Sequence, residues 1–116
     1  MKLLRDGGVI MSLSLDDIKK WEKHFAKRRG FHPTNKEEAE QRIGRILLHL
    51  QEELGEASRA YRKKEYRNLL EELSDMLLFI AKISNMLDDY YDIPSFEEIL
   101  KRKMEYNERR FPIPTR

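Results

Sequence analysis

The chain contains no cysteine, which excludes disulfides and cysteine-bound zinc. Glycine and proline are scarce, 5 and 4 of 116 residues, and fall mostly outside the candidate helices. No stretch alternates with period two for long enough to suggest a strand. Repeats and low-complexity tracts are absent as well. No apolar run approaches the roughly 20 residues of a membrane span. The first ten residues lack the long apolar core of a signal peptide, so no membrane partner and a cytoplasmic location are expected. Neither charge sign dominates: 23 Lys and Arg face 21 Asp and Glu, interleaved, for a net charge of +2. A nucleic-acid polymer would more often be met by a one-sided basic excess, so none is expected as a partner.

What is present suits one small globular domain. Charged residues make up 38% and apolar residues 40%, too apolar for a disordered chain. The spacing predicts four helices. The first runs from Leu15 to Arg29, capped by Ser14 with Asp17 and ended by Gly30. The second follows Thr34, with Glu37 completing a capping box, and reaches Lys63. Its apolar stripe is Ile43, Leu47, Leu50, Leu54, Ala57 and Tyr61. The third runs from Tyr66 to Asp89 and is apolar on more than one side, which predicts a central position. Ser95 and Glu98 open the fourth, from Phe96 to Arg109. The expected fold is all-α, an antiparallel four-helix-type bundle. Residues 1–13 read as a flexible N-terminal extension, 14–111 as one domain and 112–116 as a tail, with Met11 a second candidate start.

Four acids break the pattern. Glu53 and Glu56 are three residues apart on the second helix, and Glu72 and Asp75 are three apart on the third. Three residues turn about 300°, so each pair shares a face. Glu53 lies in a column with Ile46 and Leu50, and Glu72 in one with Leu69, Met76 and Phe79. The acids therefore lie on or beside packing surfaces. Any single Glu is more simply a solvated one. Two such pairs on consecutive helices would instead gather four carboxylates, and a cation must offset them. Oxygen ligands suit Mg²⁺, with Mn²⁺ the alternative. The histidines are His24, His32 and His49. None stands three residues after a Glu, so the Glu-x-x-His of di-iron bundles is missing.

The segments Glu52-Glu53-Leu54-Gly55-Glu56 and Glu71-Glu72-Leu73-Ser74-Asp75 resemble the EExxE…ExxD signature of the MazG-like all-α nucleotide pyrophosphohydrolases. The segment Lys103 to Arg110 resembles that family's closing helix, and the likeness spans Gly30 to Pro112. It implies that Glu53, Glu56, Glu72 and Asp75 bind Mg²⁺. It implies cleavage of a nucleoside triphosphate between its α- and β-phosphates, giving the monophosphate and pyrophosphate. Glu53 is then the expected proton acceptor.

Lys103, Asn107 and Arg110 share one face of the last helix and would meet the polyphosphate; a solvated basic helix end is the plain alternative. Phe79 lies where relatives carry an aromatic near the base, or else is a core residue. His32, beside Phe31 in the first loop, is a second candidate substrate contact or a cap. Trp21 and Phe25 most simply pack on the bundle. His49 sits one turn before Glu53, and a surface position is the simpler reading. Glu52 and Glu71 are expected to be solvated.

Apolar residues around Leu77 to Ile83 predict a homodimer or homotetramer, as relatives form. Two other readings remain open. One is a dUTPase-like or phosphoribosyl-ATP pyrophosphohydrolase. The other is a non-catalytic helical interaction module.

Overall fold

The computed structural model describes residues 12–114. The expected extension over 1–13 and the start at Met11 fall almost wholly outside them. Four helices, α1 (Leu15–Arg28), α2 (Lys36–Arg62), α3 (Tyr66–Tyr90) and α4 (Phe96–Arg110), follow one another, with no strand among the described residues. No described helix is long and apolar enough to cross a membrane.

Local chemistry sets the boundaries. Ser14 and Asp17 form the reciprocal capping box of α1. Gly30, at φ 70°, closes it. There the Phe31 amide donates to the Ala26 carbonyl at 2.7 Å and the Gly30 amide to that of Lys27 at 3.3 Å, a Schellman turn. The cap of α2 is Asn35, not Thr34: Asn35 Oδ1 accepts from the Glu38 amide at 2.8 Å. Thr34 instead donates to the Glu38 carboxylate. At α4, Ser95 accepts from the Glu98 amide, while the Glu98 carboxylate turns to Arg102.

Helices α2 and α3 form an antiparallel hairpin. Ala39, Ile46 and Met86 make the buried core, with Ile43, Leu50, Phe79, Ile83 and Tyr90 packed against it. Half of the expected stripe packs inward: Ile43 and Leu50 lie against the core and Ala57 is buried, joined by Ala60, while Leu47, Leu54 and Tyr61 stay 49%, 56% and 64% exposed. Small side chains let two backbones approach closely, so the alanine-bearing face wins the contact and the bulkier residues face outward.

Helix α3 is central, as expected, packing on both α2 and α1. The joint with α1 is largely polar. Buried Lys19 pairs with Asp88 at 2.6 Å and with Glu97. Burial alone would lower the Lys19 pKa; the two carboxylates outweigh it and hold the ammonium above its ordinary 10.5. Asp89 receives Lys23 at 2.6 Å and His32 at 2.8 Å.

The expected all-α arrangement of four helices is present, with its last helix the most exposed. Helix α4 has no buried residue; Phe96 and Ile99 in its first turn line a cavity with Leu47, Leu50 and Ile83 of the hairpin. Its apolar residues are too few to make a continuous stripe. The described chain accordingly has a radius of gyration of 17.0 Å, against about 13 Å for a compact domain of this length.

Candidate active site

The antiparallel register of α2 on α3 brings the acidic pairs together. Going up α2 by one helical step means going down α3 by one, so His49 meets Phe79 with ring centroids 5.8 Å apart. Further along the same groove, one turn up α2 and two turns down α3, Glu53 and Glu72 come within reach of each other. Carboxylate oxygens of Glu53, Glu56 and Glu72 lie within 4.8 Å of one another. Asp75 stands outside that trio but beside it, lining a cavity together with Glu53.

The electrostatics of this group are unbalanced. Among the described residues none of the four acids forms an ion pair with a Lys, Arg or His. Glu53 Oε2 and Glu72 Oε2 are buried and have no hydrogen-bond partner. The Glu72 carboxyl is held above its ordinary value of 4.5, first by a hydrogen bond shared with Glu53, then by desolvation and the charges of Glu53 and Asp75. Such a trio suits a hard divalent cation, which takes carboxylate oxygens as ligands and removes the repulsion. Glu52 and Glu71 are mostly exposed, near His49 and Arg67 at 3.6 Å. They flank the group without joining it.

A cavity of about 430 Å³ opens beside the acids. Its near wall is Glu53 and Asp75; Leu78, Phe79 and Lys82 continue it along α3. The far wall is α1, through Trp21, Glu22 and Phe25. Trp21 and Phe25 are stacked obliquely at 4.9 Å, so these two residues, expected simply to pack, border an open space. Glu22, Lys82 and Asn85 were not legible as site residues. The one signal was that charged Glu22 falls in the apolar column of Ile18, Phe25 and Ala26.

Of the remaining candidates only Phe79 lines this cavity. His32 is held by Asp89 and packs against Tyr90, ring centroids 6.1 Å apart. Asp89 is about 21 Å along α3 from Asp75. Lys103, Asn107 and Arg110 are exposed on α4, where Arg110 lies over the rings of Tyr106 and Phe111. Phe79 is half-buried at the junction of core and cavity.

Comparison with known families agrees with the geometry. The family model described as the MazG nucleotide pyrophosphohydrolase domain matches residues 41–113, more than half of the 116-residue chain. All four acids lie inside the match and α1 lies before it. No curated protein matches the chain.

Proposed function

The chain belongs to the MazG nucleotide pyrophosphohydrolase family, and from that premise we propose that it hydrolyses a nucleoside triphosphate to the monophosphate and pyrophosphate with Mg²⁺, or Mn²⁺ in its place. The observation that carries this reading is the convergence of Glu53, Glu56 and Glu72 within 4.8 Å, with two buried carboxylate oxygens lacking any partner.

Glu53, Glu56, Glu72 and Asp75 would hold the cation. When bound, it neutralises charge on the triphosphate and makes an attacking water more acidic. Glu53 accepts the proton of that water, since one of its oxygens is free of other hydrogen bonds. Phe79, with Trp21 across the cavity, offers ring faces to the base. The exposed α4 face of Lys103, Asn107 and Arg110 is assigned to the triphosphate tail, by charge and by the amide donor. His32, fastened to Asp89, contributes by fixing the loop before α2.

We also read the chain as a homodimer or homotetramer. Leu47, Leu54, Leu73 and Leu77 are all more than 40% exposed, an apolar surface that a second copy would cover. Sedimentation as a monomer at micromolar concentration overturns this part.

The test of the activity is pyrophosphate release from a panel of ribo- and deoxynucleoside triphosphates, dUTP and phosphoribosyl-ATP included. Wild type is compared with Glu56→Gln and Asp75→Asn. Release by wild type, lost in both folded variants, supports the reading, and the panel names the substrate. A folded wild type inactive on every nucleotide with either metal overturns it in favour of an interaction module.

A further inference from the structure

Glu22 is only 4% exposed, yet it lines the same cavity as Glu53 and Asp75. Burying a carboxylate beside two others is costly unless donors satisfy it. Two do: Asn85 Nδ2 donates to Glu22 Oε1 at 2.8 Å, and Lys82 Nζ donates to Oε2 at 3.2 Å. A pair of apolar side chains would dock α1 on α3 without that cost. A buried ion pair at the edge of a ligand-sized cavity therefore calls for a reason beyond docking.

The pair has capacity left over. Each carboxylate oxygen accepts more than one hydrogen bond, and the Lys82 ammonium has further donors. From Lys82 Nζ through Oε2 to Oε1, the pair offers a donor, an acceptor and an acceptor. Its complement is an acceptor, a donor and a donor in a row. Guanine presents that order on one edge, as O6, N1–H and the 2-amino group. Uracil ends in a second carbonyl, which would face Oε1 lone pair to lone pair. Adenine and cytosine set a bare ring nitrogen against a carboxylate oxygen.

We infer that the cavity between α1 and α3 takes a guanine base, whose edge Glu22 and Lys82 read while Asn85 holds the Glu22 carboxylate in place. This rests on the nucleotide-binding part of the function proposed above. It assigns the choice of base largely to α1, which precedes the family-matched segment.

The chain has 1 tryptophan, Trp21, and it lines this cavity, so its fluorescence reports occupancy without turnover. The experiment titrates guanosine, inosine, uridine and adenosine 5′-monophosphates into the full chain with Mg²⁺. Guanosine monophosphate should bind roughly tenfold or more tightly than inosine monophosphate, which lacks only the 2-amino group. Glu22→Gln should close that gap. Lys82→Met should weaken both alike, because both carry O6. Lys19→Met, which loosens α1 away from the cavity, should lower the melting temperature and leave the ratio unchanged.

Equal affinity for guanosine and inosine monophosphates in wild type overturns the inference, as does a gap that survives in folded Glu22→Gln. If that variant does not fold, the wild-type comparison still decides. A guanosine preference without pyrophosphate release from GTP keeps this inference and overturns the hydrolase; release without the preference does the reverse.

Discussion

Glu53 and Glu72 face each other from antiparallel helices, each with one buried oxygen that no hydrogen bond satisfies. The Glu72 carboxyl is held above 4.5 by this contact. A raised carboxyl pKa means that the folded chain binds the proton more tightly than the unfolded one. Its favourable effect is present at low pH and is lost as pH rises through the raised value. The metal-free protein should therefore lose stability over that window. Mg²⁺ should restore it, with a melting-temperature increase that grows as pH rises. Glu72→Gln should flatten both curves. A Mg²⁺ effect independent of pH from 4.5 upward would contradict this account of the site.

Asp89 shows the opposite case. Burial would raise its pKa, but Lys23 and His32 outweigh it and hold the carboxyl below 3.8. Its stabilisation is present above 3.8 and disappears as pH falls through the depressed value. Asp89→Asn should cost about 2 kcal/mol at neutral pH. The difference from wild type should vanish in acid, as followed by urea unfolding across pH.

Met86 is fully buried between Ala39 and Ile46. With so small a core, Met86→Ala should cost about 3 kcal/mol. A midpoint shift in urea at unchanged slope would show it. A cost well under 1 kcal/mol would mean that the hairpin repacks around the gap.

Lys64 closes α2 at φ 60°. The Lys64 amide reaches the Tyr61 carbonyl at 3.0 Å and the Glu65 amide that of Ala60 at 2.9 Å. This is the Schellman geometry again, without the glycine that relieves it at Gly30. Lys64→Gly should raise stability by about 1 kcal/mol. A lower melting temperature would show that the lysine chain contributes more than its backbone costs.

Much of this was legible in the sequence. Ser14, Gly30, Pro94 and Ser95 mark helix ends through local chemistry, so those boundaries followed directly. Thr34 and Asn35 are both good caps, and only the backbone decides between them. The spacing of Glu53, Glu56, Glu72 and Asp75 revealed their shared faces, because helical geometry is local. The interface was less legible. Counting apolar residues finds Ala57 but favours Leu47 and Leu54 beside it, whereas the buried neighbour is Ala60. The cavity wall was least legible: Glu22 and Lys82 meet only because α1 crosses α3, a relationship that no spacing encodes.

The two joints of the fold respond differently to their solution. Helices α2 and α3 are held by apolar packing, which excluded salts such as sulfate tighten. Helix α1 is fastened in good part by charge, and Lys23 and the Glu97 partner of Lys19 are part-exposed, where mobile ions screen them. Ionic strength thus separates a firm acid-bearing hairpin from a looser wall. In a concentrated medium the protein would keep its four clustered carboxylates in place while its grip on whatever fills the cavity slackened first.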